Sequence, residues 1–157
     1  MKGHMIAVTI FGCLLASRAV AEDKVRIGVY ESRAVAVAFG ASEMREAGKK
    51  AGDPKIAKAG ENMGNKGFGT APVDDILELI KDLPKLKRQA KITILVSKWD
   101  SDTLAKYKSA ERVDVTLLLA AEFEPDKRTL QTIWAMQHMH VKPLSHKTIE
   151  EAVKKGI

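Results

Sequence analysis

Ile92-Thr93-Ile94-Leu95-Val96-Ser97 constrains this chain more than any other segment, because nearly every residue is a β-former and none is charged. Such a run reads as a strand buried on both faces, which places it at the centre of a sheet. Two shorter segments qualify as its partners. Val25-Arg26-Ile27-Gly28-Val29-Tyr30 alternates apolar and other residues, and Arg112-Val113-Asp114-Val115-Thr116 repeats that pattern over a shorter length. The expected fold class is therefore α+β, with a small sheet of about three strands from residues 24–30, 92–97 and 112–116. A helical excursion separates the first two strands and helices follow the third. A sheet this small leaves exposed edges and little core, so self-association is expected.

Helical spacing fills the intervals. After Ser32, a candidate cap, Ala34, Val37, Ala38, Ala41 and Met44 recur on one face, and the lack of charge from Ala34 to Ser42 places this helix deep in the structure. From Arg45 to Lys66 the only large apolar side chains are Ile56 and Met63, and Gly52-Asp53-Pro54 marks a turn. This stretch predicts a short polar helical hairpin projecting from the body. Gly67-Phe68-Gly69-Thr70-Ala71-Pro72 halts any helix, with Thr70 or a neighbour as the next cap and Pro72 in the first turn. Ile76, Leu79, Ile80 and Leu83 then form a stripe that Pro84 kinks or ends. The basic stretch through Lys91 reads as a solvated helix end or a docking patch for an acidic partner. Asp100, Ser101 and Asp102 suggest a polar connection, and Leu117-Leu118-Leu119-Ala120-Ala121 is too apolar to expect at the surface. Pro125 opens a helix carrying Leu130, Ile133, Trp134 and Gln137, and a last helix starts at Ser145.

The N-terminus has a different character. Lys2 and His4 precede an apolar run from Met5 to Ala16, and Ala19-Val20-Ala21 carries small residues where a signal peptidase reads them. Residues 1–21 are expected to be a secretory signal cleaved after Ala21, leaving residues 22–157 as one domain in the periplasm or secreted. The run is too short for a permanent membrane helix, and no later stretch is longer. Cys13, the one cysteine in the chain, lies inside the run, and Phe11 two residues before it fits a lipoprotein signal poorly. The remaining chain has 24 basic and 20 acidic residues, a balance that calls for neither a nucleic acid nor a membrane partner. With no cysteine there, thiol catalysis and disulfide scaffolding are excluded.

Chemistry-bearing constellations are few. His138-Met139-His140, with His146 beyond, has the look of metal ligands, yet neither a cysteine nor a well-spaced carboxylate completes a tetrahedral set nearby. Gly64–Thr70 is glycine-rich without the Gly-Lys-Ser/Thr ending of a phosphate loop. Asp74-Asp75 and Asp100 with Asp102 suit helix starts and turns better than acid–base work, and no serine sits in a Gly-x-Ser-x-Gly elbow. Trp99, Tyr107 and Trp134 are too dispersed to stack nucleic-acid bases. The expectation is a protein that is not an enzyme, with no catalytic, cofactor or metal residues assigned.

The order of signal, strand Lys24–Tyr30, polar helical excursion, strand Ile92–Ser97 and short strand Val113–Thr116 resembles the Skp (OmpH) family of periplasmic chaperones. In that family a first strand feeds a long helical hairpin, and the chain returns to a small β body through which three subunits associate. The hairpins form arms around unfolded outer-membrane proteins. A closer likeness is to a group of uncharacterised exported bacterial proteins, carried by Tyr30 to Ala38, Gly67 to Leu77, Val96 to Asp100 and Val113 to Thr116. The region of about residues 40–90 is far shorter than the chaperone's arms, and the tail of about residues 124–157 extends past the chaperone pattern. The resemblance implies a non-enzymatic, oligomeric protein that binds unfolded or envelope proteins in a chaperone-type role. Its contacts would be Lys49, Lys50, Lys55, Lys58 and Lys66 with Ile56, Met63 and Phe68. Two alternatives stay open: a periplasmic metal-binding protein or metal-dependent enzyme using His138, His140 and His146, and a structural subunit of an envelope assembly.

Overall fold

The computed structural model describes residues 25–63 and 72–138. The expected signal segment with Cys13, the contacts Lys66 and Phe68, the cap Thr70, His140, His146 and the helix from Ser145 lie outside the described residues. The fold is α+β. Its three strands, β1 (Arg26–Tyr30), β2 (Ile94–Ser97) and β3 (Glu111–Asp114), fall within about two residues of the expected ones. All three run parallel, in the order β2-β1-β3. The expectation that residues 92–97 form the central strand is therefore corrected: β1 is central and β2 is an edge. Hydrophobic content does not separate the two cases here, because Val96 and Ser97 are buried although β2 has a single strand neighbour.

The topology explains the parallel arrangement. The chain leaves β1 through α1 (Ser32–Gly40), α2 (Glu43–Ala51), α3 (Pro54–Asn62), α4 (Asp74–Leu77) and α5 (Leu83–Gln89) before β2, then passes through α6 (Ser101–Lys106) to β3. Since it steps outward to β2 and back past β1 to β3, right-handed crossovers put these two connections on opposite faces of the sheet. Helices α7 (Thr116–Ala121) and α8 (Lys127–His138) then close over α1. Tyr30, Leu95, Val113 and Val115 belong to the main core with α1, whereas Ile27 and Val96 are buried outside that cluster.

Helix α1 is the centre of the molecule. Ala34, Val35, Ala36, Ala38 and Phe39 are fully buried, and the small side chains let neighbouring helices approach closely. Phe39 meets Phe123 edge-on at 5.7 Å. The cap is not Ser32 but Glu31, whose side chain accepts from Arg33 N; Ser32 is buried with its hydroxyl 3.5 Å from that of Ser97. The helix expected to continue through Met44 breaks at Ser42. The Ser42 hydroxyl donates to Phe39 O at 2.7 Å and accepts from Arg45 N at 3.2 Å, ending α1 and starting α2 with one side chain.

The expected hairpin is present. Gly52 adopts φ 69, which favours glycine, and the Asp53 carboxylate caps α3 through Lys55 N and Ile56 N, with Pro54 in its first turn. It does not project freely, however: Ile56 and Ala59 are buried against the core. Ile56 also fits against the glycine face of α2, where a Cβ on Gly48 would lie 2.5 Å from Ile56 Cγ1.

Further departures are local. The stripe Ile76–Leu83 splits into α4, a turn that still buries Ile80, and α5, in which Pro84 starts the helix instead of ending one. The Asp100–Asp102 connection becomes α6 because Asp100 caps Thr103 N. The third strand stops at Asp114, whose carboxylate accepts from Thr116 N and turns the chain into α7. There Leu119 and Ala120 are buried, but Leu117 and Leu118 are 46% and 40% exposed, which corrects the expectation of a wholly covered run.

The two glycines of the hairpin give opposite expected outcomes for one substitution. Gly48→Ala forces Cβ into the branch of Ile56 and is expected to cost about 1–3 kcal/mol. Gly60→Ala, whose Cβ would have Arg45 Nε at 4.0 Å as its nearest neighbour, is expected to stabilise α3 by about 1 kcal/mol. Urea denaturation of the two variants measures both signs.

Candidate functional site

The chemistry-bearing side chains converge at the C-terminal ends of the strands, where parallel sheets place ligand sites. Glu31, at the end of β1, is 1% exposed. Its Oε1 accepts from Arg33 N at 3.2 Å, Arg33 Nε at 3.0 Å and Trp99 Nε1 at 2.8 Å; its Oε2 accepts from Arg33 Nη2 at 3.0 Å and pairs with Lys98 Nζ. The indole of Trp99 lies 5.2 Å from the Arg33 guanidinium and 4.9 Å from the Lys98 ammonium. The backbone N–H of Glu31 donates to Thr116 Oγ1 at 3.0 Å, so the first residue of α7 is drawn into the same cluster.

Burial alone would push the Glu31 carboxyl up, but hydrogen bonds from Arg33, Lys98 and Trp99 together outweigh it, and the group is held below the ordinary glutamate value. Tyr30 beside it behaves oppositely: burial, then the charge of Asp74, keeps its phenol protonated. With five contacts to its two oxygens, Glu31 is saturated as an acceptor. The arrangement acts as a clasp between the ends of β1 and β2.

The hairpin residues predicted as contacts divide into two sets. Lys49, Lys50 and Lys55 are exposed and make no ion pair among the described residues. Lys58 instead pairs with Asp75 at 2.7 Å, and Asn62 also bonds that carboxylate. Ile56 is 4% exposed and Met63 is half-buried, packed against the core beside Gly40, so both give most of their apolar surface to the core. Between α2 and α3 an open groove of about 340 Å³ is lined by Gly48, Ile56 and Gly60 and by the charged Arg45, Lys49 and Glu61. Sequence reasoning missed this groove, although Gly48 and Gly60 on the facing helices, with Gly52 in the turn between them, signalled it. Arg45 is the notable member: its Nη1 reaches Gly40 O and Glu46, while its shielded Nε–H has no acceptor among the described residues.

On α8, the tail histidines are represented by His138. Its Nδ1 lies 2.7 Å from Trp134 O, a carbonyl that can only accept, so Nδ1 carries a proton in this contact. The imidazole stacks on Trp134 at 4.2 Å. Among the described residues, no group of three metal-ligating side chains comes together and no helix is long and apolar enough to cross a membrane. Comparisons with models of known protein families, with curated proteins and with solved structures found no match.

The clasp carries a pH dependence of known sign. A carboxyl whose pKa is lower folded than unfolded contributes stability that is present above the ordinary glutamate value, about 4.3, and lost as the pH falls through the folded value. Glu31→Gln is expected to cost about 3 kcal/mol at pH 7, the low end for a broken buried pair because Arg33 and Lys98 retain access to water. Thermal unfolding between pH 7 and pH 3 is expected to show a smaller acid loss in the variant than in the parent.

Proposed function

We propose that this is an exported, non-enzymatic protein with a Skp/OmpH-like role, binding unfolded or envelope proteins through the α2–α3 hairpin. The carrying observation is the open groove of about 340 Å³ between α2 and α3, lined by Gly48, Ile56 and Gly60 and by the charged Arg45, Lys49 and Glu61. The groove admits a short extended polypeptide, and the exposed Lys49, Lys50 and Lys55 favour segments rich in carboxylates. Export is supported by the sequence of residues 1–21. A groove of this size holds a short segment of a client, so the mode is local capture.

Diluting a urea-unfolded outer-membrane protein into buffer with and without the chain, and following light scattering, tests this reading. Suppressed aggregation is expected. Gly60→Leu, which places a side chain in the groove, is expected to abolish the suppression without lowering the thermal midpoint. Replacing Lys49, Lys50 and Lys55 together by Gln is expected to weaken it roughly tenfold. Aggregation unchanged by the parent chain, or suppression indifferent to Gly60→Leu, rejects the reading.

One observation favours the metal-binding alternative. His138 is exposed and has one ring nitrogen held by a backbone carbonyl, a bond that metal-bound histidines commonly make. That reading expects stoichiometric Zn²⁺ or Cu²⁺ uptake in titration calorimetry, lost when His138, His140 and His146 are all replaced by Ala. Heat indistinguishable from buffer at micromolar metal ends it.

A further inference from the structure

We propose that two copies of the chain pair antiparallel through the outer edge of β3, with Val113 opposite the partner's Val113 and Arg112 opposite the partner's Asp114. Backbone bonds fix which groups are available. Glu111 N donates to Val25 O at 2.9 Å and Val115 N donates to Val29 O at 3.0 Å, and Gly28 stands level with Val113. The odd-numbered residues of β3 therefore face β1, and the N–H and C=O of Arg112 and Asp114 point away from the sheet. Glu111, Arg112 and Asp114 are exposed, whereas the opposite edge, β2, has Val96 at 3% and Ser97 at 1%. Among the described residues no strand pairs with this edge, and an edge of this kind is a template for another strand.

Charge then selects the register. Antiparallel pairing sets outward-facing residues opposite one another, so the two-fold axis of a self-pair falls at Arg112, Val113 or Asp114. At Arg112 it opposes two guanidiniums, and at Asp114 two carboxylates. At Val113 it opposes Arg112 and Asp114 twice, both as hydrogen-bonded pairs, with valine against valine between them. The alternation of cation, valine and anion is self-complementary, which identifies the partner as a second copy. Asp114 Oδ1 accepts from Thr116 N at 2.9 Å, which leaves its Oδ2 for a partner, and the other contacts of these side chains are long. Arg112 Nη2 is 3.4 Å from Leu104 O, and Gln137 Nε2 is 3.4 and 3.5 Å from the Asp114 oxygens.

Apolar surface flanks this edge. Gln137 brings one face of α8 to the end of β3, and Trp134 and Leu130, 60% and 42% exposed, lie three and seven residues earlier on that face. Leu117 and Leu118 follow β3 directly. A four-residue strand pair by itself falls short of the roughly 1,200 Å² of a stable interface, and these side chains supply further area beside it.

The full chain in a Cys13→Ser background is tested by sedimentation equilibrium and oxidative crosslinking. A dimer is expected. Val113→Cys is expected to crosslink to itself, because a non-hydrogen-bonded pair holds its Cα atoms about 4.5 Å apart, within disulfide reach. Arg112→Cys, out of register with itself, is expected not to. Arg112→Glu is expected to weaken dimerisation roughly tenfold or more, with an unchanged circular dichroism spectrum. Asp114→Arg should do the same, and an equimolar mixture of the two should restore the dimer, since each then meets its complement. A monomer, a trimer, a dimer indifferent to Arg112→Glu, or folded variants whose mixture stays monomeric overturns the proposal. If Asp114→Arg fails to fold, Arg112→Glu and the Val113→Cys crosslink decide it. None of these outcomes bears on whether the hairpin captures unfolded chains.

Discussion

One buried carboxylate ties this fold together. Glu31 ends the central strand, caps the central helix, holds Lys98 and Trp99 at the end of β2, and through its backbone N–H holds Thr116 at the start of α7. All three strands are thus fixed at one end by a single residue. Removing a charge from water is costly, and the cost is offset here only because every donor arrives in place. The result is geometric specificity more than net stability. A shift of β2 by one residue would leave Glu31 without two of its partners, so the clasp and the strand register enforce each other.

Packing around α1 follows from that anchor. Its alanines and valines form a narrow cylinder on which α7, α8 and α4 can settle, and Ser42 then turns the chain sharply into the hairpin. Because Ile56 and Ala59 dock on the core, the hairpin is part of the body and not an arm. Glycines at positions 48 and 60 have opposite consequences within it. The first lets two helices touch; the second leaves the space between them open.

Much of the local structure was legible in the sequence. The strands, the Gly52-Asp53-Pro54 turn and the start of α8 near Pro125 depend on backbone preferences that a few neighbouring residues carry. The misjudged points share a cause. Ser32 looked like a cap and Glu31 did not, because the carboxylate's value as a cap depends on Arg33, Lys98 and Trp99 shielding its charge. Residues 92–97 looked central because burial was assumed to require strands on both sides, whereas helices and loops bury Val96 equally well. Leu117 and Leu118 looked buried because composition does not say which side of a short helix meets the core.

Sequence by itself determined that the chain is α+β, where its strands lie to within about two residues, and that a polar hairpin interrupts them. Those properties come from side-chain pattern and turn chemistry acting over a few residues. Tertiary structure alone decided the parallel order β2-β1-β3, the convergence of three strand ends on Glu31, the groove beside Arg45 and the place of β3 at an edge of the described sheet. Each of these joins residues tens of positions apart, and their meeting depends on the path of the crossovers, which no local preference encodes.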